Sequence, residues 1–208
     1  MKVIGLTGST GSGKSYAAEL LAKAGIPSVD CDAVCHLVYK NGEECNAELC
    51  SLFGDRIKAE NGDIDRVKLR EAAFSTPENY ADLNEIAHRH IKKKVLSLVE
   101  GYRNEGKAAV LIDAPLLFES GFDSFCDLVV SVIADRETQI RRVCKRDGIT
   151  PDVAVQRLEK QKSNYFYVSG ADAVIDNSDA NADSVKGEII ALGEKLINEN
   201  FNPRRKNK

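Results

Sequence analysis

The chain has 208 residues, 43% of them hydrophobic and 29% charged, a globular balance that excludes a largely disordered polymer and sits between one and two domains. A net charge of −3, no tryptophan and only 6% aromatics exclude a strongly basic nucleic-acid binder and an aromatic platform for single strands. No apolar run reaches the roughly 18 residues of a membrane span, and the N-terminal stretch lacks a cleavage site, so the expectation is a cytoplasmic protein without membrane or nucleic-acid partners.

Residues 2–7 form a β-branched apolar run bounded by glycine and predict a buried strand. After a glycine-rich turn, residues 14–24 place Ala17, Leu20, Leu21 and Ala24 on one helical face, and Gly25 with Pro27 ends the helix. Residues 26–29 read as a short second strand running into Asp30 and Asp32. Residues 33–105 are charged and mostly helical. There Leu83, Ile86, Ala87, His90, Ile91, Val95, Leu98 and Tyr102 predict one long amphipathic helix, with Pro77 at its first position. Asn61-Gly-Asp63 marks a turn. Further strands are expected at 108–112, 128–133 and 173–175, ending at Asp113, near Asp135 and at Asp176-Asn177. Residues 136–144 are helical, and a last helix over 183–199 carries Val185, Ile189, Leu192 and Leu196 on one face. The basic run 202–208 reads as a solvated terminus.

Strands alternating with helices predict an α/β fold: a three-layer arrangement around a parallel five-stranded sheet. Ligands of such sheets bind beyond the carboxyl ends of the strands, where every acidic strand end above lies. Gly8-Ser-Thr-Gly-Ser-Gly13-Lys14-Ser15 matches the phosphate-loop pattern G-x-x-x-x-G-K-[ST] between a strand and a helix. Its glycines let backbone N–H groups wrap a phosphate, aided by the positive end of the helix. Lys14 would reach the β- and γ-phosphates, and the Ser15 hydroxyl would ligate Mg²⁺. This implies a nucleoside triphosphate and a P-loop NTPase fold.

Asp30 and Asp32, two apart in what reads as an extended segment, would face the same side. Asp32, further beyond the strand, is the candidate general base for an attacking hydroxyl, with a local turn as the alternative. Asp113 is either a Walker-B-type acid, holding Mg²⁺ through water, or a cap for the following turn. Residues 141–162 carry Arg141, Arg142, Lys145, Arg146, Arg157, Lys160 and Lys162, a cationic lid that would stabilise a transferring phosphoryl group and exclude water, or else a solvated face. Cys31, Cys35, Cys45 and Cys50 cluster loosely with His36. They are either small hydrophobes or, with no tight CxxC pair, a weak zinc motif.

Taken in order, these pieces resemble the dephospho-coenzyme A kinase family. The resemblance rests on Ile4 to Ser15, Val29-Asp-Cys-Asp32, Leu83-Asn-Glu-Ile-Ala-His88 and Asp113-Ala-Pro-Leu-Leu-Phe-Glu119. It continues with Gln139-x-x-Arg142-x-x-x-Arg146-Asp-Gly148, Arg157-x-x-x-Gln161 and Ala171-Asp-x-Val-Ile-Asp-Asn177. It implies ATP- and Mg²⁺-dependent phosphorylation of the ribose 3′-hydroxyl of dephospho-CoA, by a monomer or weak oligomer. It also implies a nucleotide core of residues 1–32 and 106–208, a lid near 142–168, and a helical acceptor-binding insert of residues 33–105. By the same resemblance Gly11, Ser12, Gly13, Lys14, Ser15 and Tyr16 bind ATP phosphates, Arg142 and Arg146 act from the lid, and Asn177 lies at the adenine. Lys14, Asp32 and Arg142 form the catalytic set, while Thr7, Asp32, His88, Leu116, Leu117 and Phe118 receive the acceptor. Where the family usually has a methionine and several charges, this chain has Lys162-Ser-Asn-Tyr-Phe-Tyr-Val168. The alternatives are another small-molecule or nucleoside kinase, a GTP-binding switch and a zinc or redox module. The phosphate loop lacks the proline of an adenylate kinase, and the chain has no Asn-Lys-x-Asp guanine reader.

Overall fold

A computed structural model describes residues 1–178 and 182–198, so the basic run 202–208 lies outside the described residues. In chain order the elements are β1 (Lys2–Thr7), α1 (Lys14–Lys23), β2 (Ser28–Asp30), α2 (Cys31–Val38), α3 (Glu44–Phe53), α4 (Arg66–Ala73) and α5 (Pro77–Asn104). They continue with β3 (Ala109–Asp113), β4 (Leu128–Ile133), α6 (Arg136–Asp147), α7 (Pro151–Glu159), α8 (Asn164–Gly170), β5 (Ala173–Asp176) and α9 (Ala182–Ile197). The chain gathers into two compact units, one of Met1–Val29 with Tyr102 onward, the other of Asp30–Gly101.

The first unit is built on a sheet of order β2-β3-β1-β4-β5. The central strand β1 runs parallel to β3 and β4, pairing Leu6 with Asp113 and Thr7 with Ser131, and β4 runs parallel to β5. A central parallel strand is covered on both faces, which is why its sequence is a continuous apolar run rather than an alternating one. On one face Ile4, Leu6 and Val130 pack with Leu20 and Leu21 of α1 and with Val185, Ile189 and Leu196 of α9. The two helices approach closely: a Cβ on Gly193 would stand 3.2 Å from Ala24 Cβ. Leu117 fills the space at Gly5, where an added Cβ would lie 2.6 Å from its Cδ2. The strands β3 and β5 run one residue beyond their apolar patterns because Asp113 and Asp176 still occupy the ladder. Parallel strands bring Thr7, Asp113 and Asp176 to one edge.

In the second unit α5 begins at Pro77, whose missing N–H costs nothing in a first helical turn. Its buried line runs through Ala87, Val95 and Val99. Leu98, expected on the stripe, is 36% exposed, because at about 3.6 residues per turn the line from Val95 passes through Val99 instead. Along α5, Lys93 pairs with Glu44 at 2.7 Å, and Arg89 and His90 both meet Glu48 of α3. The Asn61-Gly-Asp63 turn forms as expected, with Gly62 at φ +84° and the buried Asn46 amide donating to the Gly62 and Tyr39 carbonyls at 3.0 Å each. Cys31 and Cys45 are buried, Cys35 and Cys50 half-buried. Burial pushes the Cys35 thiol up and the Cys45 thiol up to about 12, so these side chains act as neutral hydrophobes. Among the described residues no three metal-ligating side chains gather, and no helix is long and apolar enough to cross a membrane.

Candidate nucleotide site

The loop between β1 and α1 is shaped by close backbone approach. Gly8 sits at φ +153°, and a Cβ there would lie 2.3 Å from the Val132 carbonyl oxygen. Gly13 sits at φ +90°, and a Cβ there would lie 2.0 Å from Asn177 Nδ2. Only glycine fits either position. Gly13 is the N-cap of α1, and no side chain caps the helix. The first intrahelical bond runs from the Ala17 N–H to the Gly13 carbonyl at 3.1 Å. The N–H groups of Lys14, Ser15 and Tyr16 therefore have no partner within the helix and face out of its positive end. That is an anion site by construction.

Side chains distant in sequence converge on it. Lys14 Nζ contacts Asp113 Oδ1, a pair whose side chains are 15% and 10% exposed. Arg142 Nη1 of α6 donates to the carbonyls of Gly11 at 3.4 Å and Ser12 at 3.3 Å. Burial, with Arg141 nearby, draws its guanidinium pKa down. Asn177, 5% exposed, donates Nδ2 to the Ser12 carbonyl at 2.8 Å, so its side chain is placed against the phosphate loop. Thr7 is fully buried, and its Oγ1 donates to the Pro115 carbonyl at 3.2 Å. Ser15 and Tyr16 lie exposed in the first turn of α1.

Other expected site residues have different surroundings. Arg146 forms a two-pronged pair with Asp147, at 2.7 and 3.0 Å, and Arg157 contacts the same carboxylate. Arg142 and Arg146, one turn apart, thus have different partners. The expectation that Asp30 and Asp32 extend to the same side is corrected. The chain turns into α2 at Cys31, Asp30 is its N-cap, and Asp30 Oδ1 accepts from the Asp32 and Ala33 N–H groups at 2.8 and 3.1 Å. An aspartate at this position competes for the free helix N–H groups, and that local bond overrides extension. Asp32 is exposed in the first turn of α2, and His88 is exposed on α5. Leu117 is fully buried, whereas Leu116 is 61% exposed. Phe118 packs edge-on against Phe166 at 5.6 Å, and Lys162 Nζ lies 5.5 Å from the Phe166 ring centre. The aromatic run after residue 162 therefore braces the segment that follows β3.

The remaining acidic strand ends serve their own backbone. Asp135 caps α6 through the Thr138 N–H and hydroxyl at 2.7 and 2.8 Å, which holds its carboxyl below the usual range. Asp176 accepts from the Ser178 N–H at 3.0 Å and hydroxyl at 2.6 Å. Two residues that received no site role, Gln139 and Gln161, also reach the loop, touching Ser9 and Thr10. Their only signal in the sequence was a place in the family-like motifs.

A family model described as dephospho-CoA kinase matches residues 2–183. A dephospho-CoA kinase of Listeria innocua is 35% identical over 197 residues, covering 95% of this chain and 98% of that protein. One of Geobacillus kaustophilus is 36% identical over 189 residues, covering 91% and 94%. Among solved structures, a Thermus thermophilus protein superposes with a TM-score of 0.74 at 29% identity, covering 97% of this chain and 98% of that one. A dephospho-CoA kinase of Campylobacter jejuni shares the fold, with a TM-score of 0.65 at 23% identity, covering 95% and 98%. With a built phosphate loop at the sheet edge and a family match along nearly its whole length, the chain belongs to the dephospho-CoA kinase family, a family of ATP-dependent phosphotransferases.

Proposed function

We propose that this protein transfers the γ-phosphate of ATP to the ribose 3′-hydroxyl of dephospho-CoA, giving CoA and ADP. The observation that carries the reading is the phosphate loop with Lys14 set against Asp113, in a chain matched by the family model. In this reading the N–H groups at the start of α1, with Gly11, Ser12 and Gly13, hold the β- and γ-phosphates. Lys14 exchanges Asp113 for phosphate oxygens as the triphosphate enters. Arg142, already at the loop, is placed to stabilise the charge that develops on the transferring group. Arg146 joins from the same helix by releasing Asp147.

The Ser15 hydroxyl in the first turn of α1 and the Asp113 carboxylate at the end of β3 are hard oxygen donors that would suit Mg²⁺, Asp113 through water. When bound, the ion neutralises charge on the β- and γ-oxygens. Asp32, in the first turn of α2, accepts the proton of the attacking hydroxyl. His88 and the exposed faces of Leu116 and Phe118 receive the acceptor, with the buried Thr7 and Leu117 supporting that wall, and Asn177 shapes the nucleotide side through Ser12.

ADP release measured against a panel of hydroxyl acceptors tests this reading. Turnover should rise sharply with dephospho-CoA alone. Stimulation by another nucleoside or sugar, with none by dephospho-CoA, would refute it.

A further inference from the structure

Ser9, Thr10 and Gly11 are held from outside the loop by two glutamines. Gln161, just beyond α7, engages Thr10 with both ends of its carboxamide: Oε1 accepts from the Thr10 N–H at 2.9 Å, and Nε2 donates to Thr10 Oγ1 at 2.8 Å. Its own N–H is tied to the Leu158 carbonyl at 3.1 Å, so the side chain springs from a fixed turn. Gln139 of α6, 5% exposed, donates Nε2 to Ser9 Oγ at 2.8 Å. The Gln139 backbone also crowds Gly11, where a Cβ would stand 2.8 Å from its carbonyl oxygen. Both glutamines line a cavity of about 340 Å³ beside the loop, together with Lys162 and Asn164.

A loop that binds anions through its own N–H groups must be ordered before the anion arrives, and a Gly/Ser-rich segment is costly to order. A carboxamide suits that task. It bonds an N–H and a hydroxyl at once and carries no charge, so it neither repels a phosphate, as a carboxylate would, nor competes with Lys14 for it, as an ammonium would. Gln161 also stands between Arg157 and Lys162 in the chain, so its grip on Thr10 links the loop to the cationic segment. We propose that Gln161 is a positioning residue for the nucleotide: by holding Thr10 at both ends it preforms the phosphate loop and ties the 157–162 segment to it. This rests on the nucleotide reading of the loop.

The test is a double-mutant cycle of Gln161→Ala and Thr10→Val, read by equilibrium binding of ATP with Mg²⁺, steady-state kinetics and thermal melting. Each single change should weaken ATP binding about five- to tenfold, as expected for a lost hydrogen bond at a binding surface. The double variant should be no weaker than Gln161→Ala to within about twofold, because Gln161→Ala already removes both bonds, including the hydroxyl bond that Thr10→Val removes. KM for ATP should rise with kcat nearly unchanged, and the melting temperature should stay within about 2 °C of wild type. Unchanged ATP affinity in Gln161→Ala, or losses that multiply in the double variant, would overturn the proposal. If Gln161→Ala fails to fold, Thr10→Val decides alone, since it exchanges the hydroxyl of a half-exposed residue for a methyl and cuts one end of the hold; wild-type ATP affinity in that variant overturns the claim that holding Thr10 at both ends preforms the loop. Binding needs no acceptor. A wild-type protein that binds ATP yet makes no CoA therefore refutes the phosphotransfer reading while the cycle still judges Gln161.

Discussion

Lys14 and Asp113 meet across 99 residues of chain because parallel pairing of β1 and β3 sets Leu6 beside Asp113, and Lys14 opens the helix that follows β1. Each offers the other a counter-charge in a site that water reaches poorly, so neither is left as an uncompensated charge. Asp30, Asp135 and Asp176 differ in chemistry although they too end strands: each bonds N–H groups within three residues of itself. Asp32 follows a capping residue instead of being one, and its carboxylate accepts no backbone N–H of α2. It is therefore the acid of that pair to which the proposed mechanism gives the proton. Asp32→Ala should lower kcat by about 10²- to 10⁴-fold, the usual span for a general base, while ATP affinity stays within about twofold; isothermal titration beside steady-state kinetics separates the two. Turnover equal to wild type would remove Asp32 from the mechanism.

At the scale of elements, the loop and the helices packed behind it respond differently to change. Gly13→Ala forces a side chain into a left-handed backbone position and onto the Asn177 amide. It should cut ATP affinity about 10- to 100-fold, while circular dichroism shows the sheet and helices intact. Ile189 of α9 is fully buried against the sheet, far in character from the chemistry. Ile189→Ala should destabilise the fold by about 2–5 kcal/mol in urea denaturation and leave KM for ATP unchanged well below the melting range. The ion pair of Lys93 on α5 with Glu44 on α3 is about 70% exposed on both partners; neutralising Lys93 should leave the urea denaturation midpoint nearly unchanged. The strand cores and the phosphate loop were legible because apolar runs and glycine spacing are local signals. The break at Cys31 was not, since a three-residue strand running straight into a helix leaves no periodicity to read, and only the cap at Asp30 betrays it. The buried line of α5 was legible up to Val95 and misassigned at Leu98, where two adjacent apolar residues compete for one position.

The whole molecule carries net negative charge yet presents a site for a polyanion, because Lys14 and Arg142 are gathered at one loop whose backbone supplies further donors. Net charge alone therefore says little about what this chain binds. Contacts such as Gln161 with Thr10, 151 residues apart, were invisible in the sequence, because the topology of β1, β4 and the helices after them brings these residues together and no spacing rule encodes it. The family match and the sheet edge converge on phosphoryl transfer to an alcohol, and the stoichiometry of that transfer is the most direct measurement. With ATP, Mg²⁺ and dephospho-CoA, chromatography with ³¹P NMR of the product should show one CoA, phosphorylated at the ribose 3′ position, for each ADP formed. ADP released without CoA, or a phosphate placed elsewhere, would contradict the account.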